Sequence, residues 1–310
     1  MPAPSNNDNR TTIQDTSTGL VIVNYGKSLL VENSDGRLHR CVARRNLDTI
    51  VSGDCVNWEA TGDGEGVITS IEPRHSILTR TDIADRSRPL AANIDQIIIV
   101  AAPEPALDEF LIDKYTIAAE LTGMIPCIVI NKADLLDTDM RGELETRLDD
   151  YAAIGYRVIF TSALQGDGLE SLSDQLQDKT SILVGQSGTG KSSLIKRLLP
   201  DLDIAIGKLS DASGQGRHTT TTTTLYHLPH GGDLIDSPGV RDFRLGRVEA
   251  GALASGFREF HSLHGQCKFH NCRHLSEPEC AIIEAAGNGK ISARRLESYH
   301  RLLATTGSSP

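Results

Sequence analysis

Gly185-Gln186-Ser187-Gly188-Thr189-Gly190-Lys191-Ser192 has the G-x-x-x-x-G-K-[ST] spacing of a phosphate-cradling loop, with the adjoining Ser193 counted among its nucleotide contacts. Glycines at this spacing let successive backbone N–H groups turn onto phosphate oxygens, and a helix starting at Lys191 adds the partial positive charge of its N-terminus. Lys191 then reaches the β- and γ-phosphates and takes part in the chemistry, while the Ser192 hydroxyl is suited to Mg²⁺. An apolar strand, Ser181 to Val184, precedes the loop and an amphipathic helix, Lys191 to Leu199, follows it, which is the context the motif requires.

Two further motifs complete a nucleotide site. Asp236-Ser237-Pro238-Gly239 follows the apolar pair Leu234-Ile235, where Asp236 can hold Mg²⁺ and the Gly239 N–H can sense a γ-phosphate. Asn131-Lys132-Ala133-Asp134 follows the strand Pro126 to Ile130 and decides the base. A carboxylate at Asp134 accepts hydrogen bonds from guanine N1–H and N2–H₂, a donor pattern adenine lacks, so GTP is favoured over ATP. Asn131 braces neighbouring loops, the Lys132 stem covers the ring, and a backbone N–H from Thr161-Ser162-Ala163 can donate to guanine O6. The order is unusual, because Asn131 to Asp134 comes before Gly185 to Ser192 rather than after it. The domain therefore reads as circularly permuted, with the Asp236 loop leading directly into the C-terminal region.

Cys267-x4-Cys272-x-His274-x5-Cys280 supplies three thiolates and an imidazole, a ligand set for a closed, structural Zn²⁺ site without an open catalytic position. Free cysteines, or His270 in place of His274 as the nitrogen ligand, are the alternatives.

The elements that must position these residues follow from the pattern of the rest of the chain. Its 310 residues exceed the ~150 expected of one domain, so two or three domains are expected. Residues 1–18 read as a polar tail, followed by a barrel over 19–75, a nucleotide-binding domain over 76–245 and a helical zinc domain over 246–310. Leu20 to Val23, Ser28 to Glu32, Arg40 to Ala43, Val56 to Trp58 and Gly66 to Ile71 are five short strands separated by Gly, Asp and Asn turns. That count fits a small antiparallel barrel of the oligonucleotide-binding (OB) type, with an SH3-like barrel as the alternative. An Arg-rich link, 76–92, leads into alternating strands and helices that imply a parallel α/β sheet. The helices read as Asp108 to Leu121, Met140 to Ala153, Leu169 to Gln177 and Lys191 to Leu199. Strands Thr222 to Leu228 and Asp233 to Ile235 follow, and Ser292 to Leu303 is the clearest helix of the C-terminal region.

The net charge of −10 argues against a polyanionic partner until its distribution is considered. Residues 17–90 hold nine basic against ten acidic residues, 91–250 fourteen against twenty-four, and 251–310 seven against five. Any RNA contact thus falls to the two ends, where Arg37, Arg40, Arg44 and Arg45 cluster, as do Arg80, Arg86 and Arg88, unless these are simply solvated. The longest apolar run, Ile97 to Ala102, is far short of the ~20 residues of a membrane-spanning helix. The polar N-terminus lacks the apolar core of a secretory signal, so the expected location is the cytoplasm.

From about residue 19 to 303 the chain resembles the RsgA family of small-ribosomal-subunit GTPases. The resemblance rests on Ala92-Asn93-Ile94-Asp95-Gln96, the permuted motif order, Gly216-Arg217-His218-Thr219-Thr220-Thr221, Asp236 to Phe243 and the cysteine spacing. It implies an OB-fold, a permuted GTPase domain and a zinc domain. It further implies a monomer that binds the small subunit and its rRNA late in maturation, with subunit-stimulated hydrolysis of GTP to GDP. Val240 stands where many GTPases place the Gln that orients water, and valine cannot hydrogen-bond to water. His218 is the expected substitute, unless it is an exposed loop residue or an RNA contact, and Thr220, or else Thr219, is the expected Mg²⁺ ligand from the same loop. An RNA-binding module merely gated by nucleotide is the competing class of function.

Overall fold

The computed structural model describes residues 17–62, 64–81, 87–213, 222–237 and 247–306. Strands β1 (Ser17–Asn24), β2 (Leu29–Asn33), β3 (Leu38–Ala43), β4 (Cys55–Gly62) and β5 (Glu65–Ile71) pair in the order β1-β2-β3-β5-β4, and β4 pairs again with β1. The ring closes, so the barrel has no free edges, and β3 runs parallel to β5 as the one exception to antiparallel pairing. Val21, Val31, Cys41, Val56, Trp58 and Ile68 fill it. Gly66 lies under the indole: a Cβ there would fall 2.5 Å from Trp58 Cε3.

The segment expected as a link is instead an antiparallel hairpin, β6 (Ile77–Thr81) and β7 (Ser87–Ala92). Pro89 disguised it, since proline cannot donate to a ladder. The pairing accommodates it at a register shift between Leu78 and Thr79, with Thr79 opposite Pro89.

The α/β sheet follows β8 (Gln96–Ala101), α1 (Glu109–Leu121), β9 (Ile125–Ile130), α2 (Thr138–Ala153), β10 (Arg157–Phe160), α3 (Leu169–Leu176), β11 (Thr180–Val184) and α4 (Lys191–Leu198). Strands β10-β9-β8-β11-β13 are parallel neighbours, β13 being Asp233–Asp236, and β12 (Thr224–His227) adds antiparallel to β13. Alternation along each buried strand feeds two cores. Ile97, Ile99, Ile128, Ile130 and Ile182 pack with Ile112, Tyr115, Leu144 and Leu148 of α1 and α2. Ile98, Val100, Cys127, Val129 and Leu183 pack with Leu172, Leu176, Leu194 and Ile195 of α3 and α4. Asp108 and Asp137 cap α1 and α2, each accepting from a backbone N–H three residues on, at 3.1 and 2.8 Å; the second cap starts α2 two residues before the expected Met140.

Helix α5 (Leu202–Ser213) was not legible in the sequence, because Ile204, Ile206 and Gly207 are weak helix formers. It lies against β2 and β3 of the barrel. The β12 strand begins at Thr224, two residues later than the threonine run indicated. It touches β1 at Val23 opposite Thr224, and Ser52 Oγ donates to Thr223 O at 2.8 Å.

The C-terminal region comprises α6 (Ala250–Ser255), a 3-10 turn (Arg258–Leu263), α7 (Ala281–Gly287) and α8 (Ala293–Thr306). Its core of Leu253, Phe257, Phe260, Ile282 and Tyr299 takes in Ile117 from the outer face of α1. Beside it, Asp113 of α1 is fully buried and receives hydrogen bonds from Tyr151 Oη (2.6 Å), Arg294 (2.7 Å) and Arg295 (2.7 Å), while Arg295 also pairs with Glu259. Each buried charge is thus met by an opposite one, which a junction of this kind requires.

The barrel is tied to the sheet by His227, whose Nδ1 lies 2.6 Å from Asp233 Oδ1 and Nε2 2.6 Å from Glu32 Oε2. The Asp233 hydrogen bond, opposed by burial and aided by Glu32, raises the imidazole pKa to about 9. Because the folded value lies above the ordinary one near 6.5, this tie is fully stabilising below pH ~6.5 and is lost as pH rises through about 9. Urea unfolding of His227→Gln should therefore show a stability deficit at pH 6 that closes above pH 9.

Candidate functional site

Strand register fixes where the motifs sit. Ala101, Ile130 and Phe160 are aligned across β8, β9 and β10, Val184 pairs with Ile99, and Ile182 pairs with Ile235. Asn131, Thr161, Gly185 and Ser237 therefore leave the sheet along one edge, at the carboxyl ends where parallel sheets bind ligands. The sequence places these four motifs far apart, and the sheet collects them.

Gly185 has φ 135° and a Cβ there would fall 2.1 Å from Val100 O; Gly190 has φ 88° and its Cβ would fall 2.3 Å from Asn131 Nδ2. Both positions require glycine, by conformation and by contact. Between them, buried Thr189 donates Oγ1 to Gln186 O at 3.0 Å, while Gln186, Ser187 and Gly188 are exposed. Lys191 Nζ donates to Gly185 O and Gln186 O, both at 2.7 Å, which folds the ammonium over the loop. Ser192 and Ser193 are exposed on the first turn of α4. At the end of β13, Asp236 is exposed and the Ser237 hydroxyl meets Thr223 Oγ1 at 2.9 Å.

Asn131 joins these parts. Its Nδ2 donates to Thr189 O at 2.9 Å, and its Oδ1 accepts from Ala163 N at 3.1 Å and Thr161 Oγ1 at 3.3 Å. The side chain is buried, so each of these bonds replaces water that is no longer present. Lys132, in the left-handed conformation at φ 61°, donates Nζ to Glu104 O at 2.8 Å. Ala133 begins a 3-10 turn that presents Asp134. Asp134 Oδ1 accepts a short hydrogen bond from Ser162 Oγ, which in turn accepts from Gln165 N at 3.0 Å. Asp134 Oδ2 has no partner among the described residues. A carboxylate held by one oxygen and open at the other can still accept from paired N–H donors.

The expected Mg²⁺ and γ-phosphate contacts of Thr219, Thr220 and Gly239, the water-orienting His218 and the neighbouring Val240 lie outside the described residues. Sequence reading missed Arg197, whose Nε and Nη2 donate to Ala163 O (2.7 Å) and Leu164 O (2.6 Å). It also missed the Ser162 hydroxyl as a partner of Asp134. Neither leaves a local signal, since each acts on a residue about thirty positions away in sequence.

Cys267, Cys272, His274 and Cys280 come together with their ligand atoms within 4.8 Å of one another. The Cys267 Sγ to Cys280 Sγ distance is 3.9 Å, and His274 Nδ1 lies 3.6 Å from Cys267 Sγ and 3.3 Å from Cys280 Sγ. Ligands placed tetrahedrally at ~2.3 Å for sulfur and ~2.0 Å for nitrogen stand about 3.5–3.8 Å apart, so this cluster has the dimensions to hold a metal ion. All three cysteines are free thiols, and His270 is exposed and outside the group. His274 is held at φ 57° and its carbonyl accepts from His300 Nε2 at 2.6 Å. Burial lowers the imidazole pKa, favouring the neutral form that ligates metal. Glu277 closes the loop. Burial would raise its pKa, but N–H donors of Arg273, Leu275 and Ser276 outweigh that and hold it at about 2.

The comparisons agree with this geometry. The family model described as RsgA GTPase matches residues 71–246. A small ribosomal subunit biogenesis GTPase RsgA of Chromohalobacter salexigens is 49% identical over 289 residues, covering 92% of this chain and 85% of that protein. The protein of the same name from Haemophilus influenzae strain 86-028NP is 46% identical over 293 residues, covering 93% and 85%. Among solved structures, YjeQ from Thermotoga maritima superposes with a TM-score of 0.79 at 31% identity, covering 95% of this chain and all of that one. YloQ, described as a circularly permuted GTPase, gives 0.77 at 26% identity, covering 97% and 99%. With a barrel, a permuted nucleotide-binding sheet and a Cys/His cluster in the same order along one chain, this protein belongs to the RsgA GTPase family.

Proposed function

We propose that this GTPase acts in biogenesis of the small ribosomal subunit, as its relatives' names state of them, through three modules over residues 19–75, 76–245 and 246–310. The observation that carries the reading is the convergence on Asn131 of the P-loop, through Thr189, and the base-side loop, through Ala163, in one site at the sheet edge. In this reading Gly185 to Ser193 cradle the phosphates, Lys191 turns from its resting carbonyls to the β- and γ-phosphates, and Lys132 covers the guanine ring. Asp134 reads N1–H and N2–H₂ beside the loop of Ser162 and Ala163, whose own N–H groups do not donate to O6 as the sequence suggested, because Asp167 O holds the first at 2.9 Å and Asn131 Oδ1 the second at 3.1 Å. Gly239 senses the γ-phosphate. Ser192, Asp236 and Thr220 would hold Mg²⁺, which neutralises charge developing on the phosphates. His218 orients the attacking water, giving GDP and phosphate. The partner is the small subunit and its rRNA during late maturation, the protein acts as a monomer in the cytoplasm, and contact with the subunit raises turnover. Among the described residues no helix is long and apolar enough to cross a membrane.

The test is hydrolysis of GTP and ATP by the purified protein with and without small subunits. Stimulation at least tenfold and confined to GTP is expected; tight GTP-dependent binding without stimulation would favour a nucleotide-gated RNA-binding module instead. Asp134→Asn should shift preference from guanine toward xanthine nucleotides, because the amide donates where the carboxylate accepted, by about 10²-fold or more in competition binding.

We assign the Cys267, Cys272, His274 and Cys280 cluster to one structural Zn²⁺, on the tetrahedral spacing of its donors. Elemental analysis should find about one zinc per chain. Removing it with a chelator at low pH should melt the region around Tyr299 and Phe260, read as loss of near-ultraviolet circular dichroism, while guanine nucleotide binding persists.

A further inference from the structure

Arg197 lies on α4, the helix whose first residue is Lys191, yet its guanidinium reaches the opposite end of the nucleotide site. Nε donates to Ala163 O at 2.7 Å and Nη2 to Leu164 O at 2.6 Å, so one planar fork holds two consecutive carbonyls of the loop after β10. The Ala163 N–H is already fixed by Asn131 Oδ1 at 3.1 Å. Both polar groups of Ala163 are thereby committed to side chains that also contact, or belong to, the phosphate-binding unit.

This geometry has a directional consequence. The Ala163–Leu164 peptide is trans, since the single cis bond among the described residues is Glu104–Pro105. Its C=O and N–H therefore point in opposite directions, and a carbonyl aimed at Arg197 aims the Leu164 N–H away from α4. That N–H has no partner among the described residues. The same loop carries Ser162, whose hydroxyl accepts from Gln165 N and meets Asp134. Leu164 itself is 75% exposed, the most exposed large apolar side chain among the described residues, and offers an apolar surface to a ring.

We propose that Arg197 is a positioning residue for base recognition: from the phosphate-binding helix it clamps the Ala163–Leu164 loop so that its outward N–H and Asp134 present a fixed guanine-reading edge. The inference rests on the nucleotide-site reading above. It makes α4 a rigid strut between the two halves of the ligand, with phosphates at its first turn and the base-side loop at its last.

The test compares wild type, Arg197→Ala and Arg197→Lys for binding of fluorescent GDP, with ADP and inorganic pyrophosphate as competitors and melting temperature as the control for folding. In wild type, GDP should outcompete ADP; if it does not, the nucleotide-site reading fails and the inference with it. Given that preference, Arg197→Ala should weaken GDP about tenfold and narrow the GDP-to-ADP ratio by a similar factor, with pyrophosphate competition and melting temperature unchanged. Arg197→Lys should fall between, because an ammonium can hold one carbonyl but lacks the fork. Unchanged GDP binding in Arg197→Ala, or equal weakening of GDP and pyrophosphate, overturns the assignment while leaving the guanine reading intact.

Discussion

The buried amide of Asn131 is the interaction on which the nucleotide site depends. Its donor reaches Thr189 O in the P-loop and its acceptor takes Ala163 N and Thr161 Oγ1 in the loop after β10, so three segments from different parts of the chain share one side chain. An amide suits the task because it offers a donor and an acceptor at once from a rigid plane. Gly190 is part of the same constraint, since any Cβ there would occupy the space of Asn131 Nδ2. With the side chain buried, a broken bond would leave backbone groups without water to replace it, which keeps the loops in one arrangement.

Permutation changes what the site is wired to. Among the described residues the element after β13 is α6 of the C-terminal region, and the element before β12 is α5, which rests on β2 and β3 of the barrel. Ser52 and His227 tie β12 to the barrel through Thr223, Glu32 and Asp233. The nucleotide-binding sheet is thus flanked on one side by the barrel and on the other by the module that carries the Cys/His cluster. Asp113, Arg294 and Arg295 fix that module to α1, on the helical layer rather than on the nucleotide edge. A buried charge cluster whose acidic and basic groups meet one another favours one docking geometry over others.

Much of this could be read directly from the residues. The P-loop, the Asn131-Lys132-Ala133-Asp134 motif and the Cys/His spacing each encode their chemistry within a few positions, because phosphate, base and metal impose strict local geometry on backbone and donors. Apolar runs such as Ile97 to Ala102 pointed to the buried parallel strands, here β8. The hairpin at 77–92 and helix α5 were missed for a common reason: Pro89 and Gly207 weaken local propensity, while Leu78 and Ala91 of the hairpin pack into a core shared with Ile22 and α5 lies against β2 and β3.

The amino-acid sequence by itself determined the chemical parts: a phosphate-loop motif, the Asn131-Lys132-Ala133-Asp134 motif, three clustered cysteines with two candidate histidines, and the permuted order of the nucleotide motifs. Only the tertiary structure decided how they are held. It chose His274 over His270, because chain reversal at positive φ brings the first and not the second to the thiols. It also placed Ser162 against Asp134 and Arg197 against Ala163 and Leu164, contacts between residues about thirty positions apart for which no local pattern exists. Such contacts come from strand register and helix placement, which depend on the packing of the whole sheet rather than on any segment of it.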